Sequence, residues 1–197
     1  MHIVAFSGSP RKNGNSVGML SYIGDILQQH NITFECIKVG GALATGCNGC
    51  THCLSNKTQH CVREDTGINE WYGKICAADG VLLATPSYAS NMNGDSIAFL
   101  QAMTNLAASS LDKQTGRTTL TNKVGAAFVP TRRSGGLRVV HHLNNFFVQT
   151  GMIIPMGNTF NVNISRERQE YLKDEAALEN CRIVADNMIW LLKKLHA

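Results

Sequence analysis

Apolar positions change their period along the chain in a way that alternates short strands with longer helices. Residues 3–6 are an uninterrupted apolar run stopped by Gly8-Ser9-Pro10, the pattern of a buried strand entering a turn. Ser16 then fits a helix N-cap, because Val17, Leu20, Ile23 and Leu27 recur on one helical face as far as about His30. Residues 32–39 read as a second strand. Glu35 and Lys38 among Phe34, Cys36 and Ile37 suit a sheet edge better than a centre, and Gly40-Gly41 closes it. A helix over 69–78 leads to the apolar run 81–85, a strand covered on both faces. Helices are expected over 94–107 and 137–150, with strands over 124–129 and 152–154. A final helix over 166–195 presents Leu172, Cys181, Val184, Met188, Leu191 and Leu195 on its apolar face.

Strands that alternate with helices from end to end imply an α/β architecture: a doubly wound parallel sheet with helices on both faces. Five strands fit the flavodoxin-like order 2-1-3-4-5, as one domain over 1–197 without internal repeats. Ligands of such sheets bind beyond the carboxyl ends of the strands where the order reverses, which selects the loops after strands one, three and four. The segment 40–67 has neither period. An unpatterned stretch of that length needs something else to organise it, and it contains Cys47, Cys50, Cys53 and Cys61, so it is expected to be a cysteine-rich insertion after strand two.

Composition narrows the class. The chain has 197 residues, 44% hydrophobic and 16% charged, which excludes a disordered or fibrous protein and permits a packed core without staples. There is no apolar run long enough to span a bilayer and no basic-then-apolar leader, so no membrane role and a cytoplasmic address are expected. Lys and Arg are scattered and the net charge is +4, which gives no footprint for nucleic acid. Seven cysteines, four of them clustered, point in a reducing compartment to metal or redox chemistry instead of disulfides.

The loop 8–16 joins a strand to a helix N-terminus. Free amides, the helix dipole, small hydroxyl and amide side chains and two cations make an anion cradle suited to a phosphate monoester. It lacks both the Gly-Lys-Ser/Thr ending of a nucleotide triphosphate loop and the Gly-x-Gly-x-x-Gly of a dinucleotide fold. The plainer alternative is a polar turn in which Ser16 only caps a helix. The Gly-Ser-Pro-Arg-x-x-Gly-Asn-Ser loop resembles that of the NAD(P)H-dependent FMN reductases and related flavodoxin-like proteins. The resemblance implies an FMN site. Ser9, Arg11, Asn13, Asn15 and Ser16 would wrap the phosphate, Pro86, Ser87 and Tyr88 of Thr85-Pro86-Ser87-Tyr88, with Asn91, would lie against the isoalloxazine, and Thr131, Arg132, Ser134, Gly135 and Gly136 would edge its polar rim. Read singly, Tyr88 is equally a half-exposed loop aromatic and Arg132-Arg133 a solvated turn.

Cys47-x-x-Cys50-x-x-Cys53 followed by Cys61 offers three thiolates on a tight loop and a fourth after an excursion. A cubane with four corners suits that spacing, whereas structural zinc usually takes two separated pairs, although His52 and His60 keep zinc open, as are unmetallated thiols. The spacing and its place after strand two are similar to those of the iron-sulfur flavoproteins, a branch of the same family. That likeness implies FMN plus a 4Fe-4S cluster on Cys47, Cys50, Cys53 and Cys61. It further implies a dimer or tetramer, a ferredoxin-like donor and a small acceptor such as oxygen, peroxide or a quinone. Two other readings stay open: an NAD(P)H-dependent FMN or quinone reductase with structural cysteines, and a non-catalytic redox sensor or zinc-stabilised interaction module. No catalytic acid or base is expected. Many FMN reductases carry charges on the helix after the tyrosine loop, but 97–103 is uncharged here, fitting a subunit contact or a core helix. Cys36, Cys76 and Cys181 are expected in the core, and Trp71 and Trp190 in packing. His141 and His142, adjacent on a helix, are expected to face apart.

Overall fold

A computed structural model describes residues 1–42 and 46–197. Residues 43–45, which begin the expected cysteine-rich insertion, lie outside the described residues. In chain order the elements are β1 (His2–Ser7), α1 (Asn15–Gln29), β2 (Thr33–Lys38), α2 (His52–Asn56), α3 (Ile68–Ala77), β3 (Gly80–Ala84), β4 (Ser87–Tyr88), β5 (Asn91–Met92), α4 (Gly94–Ser109), β6 (Val124–Thr131), α5 (Gly136–Thr150), β7 (Val162–Ile164) and α6 (Glu175–Leu195).

The main sheet is parallel, with order β2-β1-β3-β6-β7, while β4 and β5 form a separate two-stranded hairpin. Allowing for that hairpin, this is the flavodoxin-like order expected from the alternation of elements. The apolar strands β1, β3 and β6 occupy the centre because they are buried on both faces. On one face β1, β3 and β6 meet α1 and α6 through Ile3, Leu20, Ile23, Leu82, Phe128, Val184 and Met188. On the other they meet α3, α4 and α5, where Phe99 stacks against Phe6 at 4.8 Å and against Trp71 at 5.9 Å between ring centroids.

Four expectations need correction. The run 152–154 is not the fifth strand. Ile153 makes only an isolated parallel bridge to Val124, and Pro155, which has no N–H to donate, follows at once. The chain leaves and returns as β7, which pairs with Val129–Thr131 at the opposite end of β6. The last helix starts at Glu175, not 166, because the Asp174 carboxylate caps it by accepting from Ala177 N at 3.1 Å; Leu172 therefore lies outside it and is exposed. Ser16 is not an N-cap: α1 begins after Gly14, and Ser16 sits buried in its first turn. Finally, Cys181 is buried but Cys36 is exposed on the edge strand and Cys76 half-buried, and Trp190 is exposed while Trp71 packs inside. Among the described residues no helix is long and apolar enough to cross a membrane.

Candidate functional site

At the carboxyl ends of the strands lies a cleft of about 610 Å³. Its wall is a ring of loops joined in series by hydrogen bonds. The Gly8 carbonyl after β1 accepts from Asn93 Nδ2 at 2.7 Å, while Asn93 Oδ1 accepts from the Thr85 and Ser96 hydroxyls at 2.8 and 2.5 Å, all of it buried. Ser134 O after β6 accepts from Thr131 Oγ1 at 2.8 Å and from Ser87 Oγ at 3.3 Å. Ser165 N after β7 donates to Thr131 O at 2.8 Å, and Asn15 Nδ2 closes the ring by donating to Glu167 O at 2.8 Å. A Cβ on Gly8 would fall 1.8 Å from Ser96 Oγ, so only glycine lets the first loop approach α4 this closely.

The cleft is lined from the first loop by Ser9, Arg11, Gly14, Asn15 and Ser16, from the hairpin by Pro86, Ser87, Tyr88, Ala89 and Ser90, and after β6 by Pro130, Thr131, Arg132, Arg133 and Ser134. Of the expected residues, Ser9, Arg11, Asn15, Ser16, Pro86, Ser87, Tyr88, Thr131, Arg132 and Ser134 are therefore brought together. Asn13 is exposed outside the lining. Asn91 belongs to the hairpin rung opposite Tyr88, with its Oδ1 accepting from Met92 N at 3.0 Å. Gly135 and Gly136 lie behind the lining and serve approach: a Cβ on Gly135, whose φ is +84°, would sit 2.5 Å from Ser90 Cα, and one on Gly136 2.5 Å from Val162 Cγ1. Sequence reasoning missed Ser165, Arg166 and Glu167 because it ended the sheet at 154 instead of at β7. The polar run Ser165-Arg166-Glu167 directly after the short apolar-polar alternation 160–164 was the available signal.

The floor by α1 is built for an anion. α1 has no side-chain cap and no acid in its first turn, so its positive end is uncompensated. Asn15 Oδ1, Ser16 Oγ and Ser165 Oγ are buried and make no hydrogen bond among the described residues. Arg11, Arg132, Arg133 and Arg166 all line the cleft, against one acid, Glu167. Buried polar groups without partners are costly, and here the Ser16 and Ser165 hydroxyls, which can donate, converge with cations and helix amides, the donor set of a phosphate. Tyr88 is 41% exposed at the rim, where a ring stacked on it would be half covered. These residues fit FMN, with the α1 end suited to its phosphate and Tyr88 to its ring.

A second cavity lies on the cysteine segment. Cys47, Cys50, Cys53 and Cys61 all line it, with Ile68 from α3 and Ala102, Asn105 and Leu106 from α4. Asn69 holds Cys61 by both backbone groups, its Oδ1 accepting from Cys61 N at 2.7 Å and its Nδ2 donating to Cys61 O at 2.9 Å. Gly49 N–H donates to Cys47 Sγ at 3.4 Å, and Leu54 N–H donates to the Cys53 sulfur. Burial raises the Cys53 thiol above its ordinary range despite that bond, and the neighbouring Cys47, Cys50 and Cys61 push the same way. Among the described residues no three His, Cys, Asp or Glu side chains gather closely enough around one point for a single metal ion. Four cysteines lining one cavity, two of them with an amide at the sulfur, fit the ligand set of a cluster, whose ligands stand at separate corners. The uncharged stretch 97–103 of α4 is explained by this geometry: the helix is the floor of the cysteine cavity as well as core.

A doubly wound sheet with an anion-binding cleft at its switch point and a tyrosine at the rim is the arrangement of flavodoxin-like flavoproteins. The chain belongs to the NADPH-dependent FMN reductase family, whose sequence profile matches residues 1–167, and it is a flavin-dependent oxidoreductase. It is similar to an iron-sulfur flavoprotein of Archaeoglobus fulgidus (26% identical over 200 residues, covering 98% of each chain). It is also similar to an iron-sulfur flavoprotein of Methanocaldococcus jannaschii (25% over 205 residues, 98% of each). Among solved structures, RosB with a bound 8-demethyl-8-formylriboflavin-5'-phosphate intermediate shares the fold, with a TM-score of 0.78 and 16% identity over 100% of this chain and 80% of that one.

Proposed function

We propose that the protein is an electron-transfer flavoprotein that carries FMN and a 4Fe-4S cluster, accepts electrons from a ferredoxin-like donor and delivers them to a small acceptor such as oxygen, peroxide or a quinone. The observation that carries this reading is that one helix serves both sites. Asn93, at the N-cap position of α4, and Ser96 in its first turn brace the cleft loops, and its Ala102, Asn105 and Leu106 line the cysteine cavity. Six to ten residues along a helix is roughly 9–15 Å of axis, so the two sites are neighbours within one fold.

Cys47, Cys50, Cys53 and Cys61 would hold the cluster, with the Gly49 and Leu54 amides tuning sulfur basicity. Ser9, Arg11, Asn15 and Ser16 bind and orient the FMN phosphate, while Pro86, Ser87 and Tyr88 shield one side of the ring. Thr131, Arg132 and Ser134 border its polar edge, where their positive potential favours the negative charge of the reduced form. FMN, when bound, supplies the change between one- and two-electron chemistry, so the protein needs no acid or base of its own. The flavin and cluster names of the relatives support this assignment, as does the donor set of each cavity. The subunits would assemble as a dimer or tetramer.

A second reading is a reductase taking hydride directly from NAD(P)H, with structural or unmetallated cysteines, and the description of the family favours it. Rapid mixing under anaerobic conditions separates the two. Fast flavin bleaching by a reduced low-potential ferredoxin and slow bleaching by NADPH is the result expected here; the reverse order establishes the second reading.

A further inference from the structure

We infer that Ser165 and Arg166 form a second jaw of the phosphate grip and select phosphorylated over unphosphorylated flavin. The inference rests on the FMN reading above and adds to it a contribution from the far end of the chain.

Three observations carry it. Ser165 is only 6% exposed, lines the cleft, and its hydroxyl bonds to nothing among the described residues, like that of Ser16 on α1 opposite. A buried hydroxyl left unpaired costs free energy, so two of them facing one cleft beside an uncapped helix N-terminus are placed for a shared acceptor. Second, the segment is pinned and not a loose tail. Ser165 N donates to Thr131 O, Glu167 O accepts from Asn15 Nδ2, and the Glu170 carboxylate accepts from Arg166 N at 2.7 Å and Glu167 N at 2.8 Å. This last pair occupies the nearby Glu170 charge, leaving Glu167 as the acid of the lining. Third, the Arg166 guanidinium borders the cleft without a hydrogen-bond or ion-pair partner among the described residues, and a planar fork of donors suits a phosphate dianion. The Asn15–Glu167 bond joins the two jaws directly, so an anion at the end of α1 is held from both sides.

The test is equilibrium binding of FMN and of riboflavin to flavin-free protein, read by quenching of flavin fluorescence, together with melting of the flavin-free protein. Ser165→Ala should weaken FMN about tenfold or more and leave riboflavin unchanged, as expected for one lost bond to a charged group. Its flavin-free melting point should not fall, because the hydroxyl it removes has no partner. Arg166→Gln, on an exposed residue, should weaken FMN likewise and flatten the salt dependence of its affinity. Unchanged FMN affinity in both variants, with Ser16→Ala still weakening it, overturns the inference and leaves the FMN reading intact. Equal weakening of FMN and riboflavin, or a lowered flavin-free melting point, overturns it in favour of a packing role. Wild-type protein that binds no FMN removes the underlying reading instead.

Discussion

Asn93 Nδ2 donates to the Gly8 carbonyl at 2.7 Å, across 85 residues of sequence, and this buried bond ties the phosphate loop to the flavin hairpin. Around it Asn93 Oδ1 accepts from both Thr85 and Ser96, whose hydroxyls lie 2.7 Å apart. Every member is satisfied, so the network fixes three loop origins at once, and the cleft inherits its shape from a structural bond instead of from the ligand.

Asn93→Ala should therefore cost both stability and binding. It strands the Gly8 carbonyl and leaves the Thr85 and Ser96 hydroxyls with only each other, each unpaired group being worth roughly 1–3 kcal/mol. Urea unfolding should show a lower midpoint at unchanged slope, and FMN should bind more weakly in proportion to the loss of preorganisation. Unchanged unfolding would mean the network is decoration.

Gly135→Ala tests the approach of the β6 loop to the hairpin. Its φ of +84° and the 2.5 Å distance of a Cβ from Ser90 Cα leave no cheap accommodation, because the obstacle is backbone. A loss of roughly 1–3 kcal/mol is expected, with Tyr88 displaced from the rim and a changed visible spectrum of bound flavin.

Much of this was legible in the sequence. β1, β3 and β6 announce themselves as apolar runs, the switch-point rule selects the loops carrying Ser9, Ser87 and Thr131, and the clustered cysteines mark their own cavity. What was illegible depended on tertiary pairing. Whether Ile153 or Val162 completes the sheet is decided by which end of the eight-residue β6 is paired, and both segments look alike locally. The consequence reaches the site: without β7, the sequence places Arg166 at the start of the last helix and gives Ser165 no element, whereas both line the cleft. For Gly135 and Gly136 the sequence reads cofactor contact, and the structure adds a packing reason the sequence does not carry, the close approach to Ser90 and Val162.

Glu170 makes the order of the 165–170 segment pH-dependent on the acid side. The Glu167 and Arg166 backbone N–H groups hold its carboxylate below the ordinary glutamate range. A depressed native value means the stabilisation is fully present above that ordinary range and is lost as pH falls through the lower native value. Amide exchange of the 165–170 segment should accelerate on acidification before the core does, and Glu170→Gln should show the faster exchange at neutral pH. Exchange in that segment that is indifferent to both would contradict the role given to this carboxylate.

Thiol chemistry should divide the cysteines. Burial pushes the Cys181 thiol up to about 12, so it stays protonated and shielded at pH 8, while Cys47 and Cys50 are exposed. In cluster-free protein, iodoacetamide mapped by mass spectrometry should modify Cys47 and Cys50 promptly and Cys181 only on unfolding. Cys50→Ser should abolish iron binding and leave FMN bound, since the cavity and the cleft share α4 but no lining residue.

The most direct measurement is the content of FMN, iron and acid-labile sulfide per chain in protein purified without oxygen. The account predicts about one FMN with about four iron and four sulfide atoms. Protein without flavin would contradict the reading of the cleft, and flavin without iron would contradict the reading of the cysteine cavity.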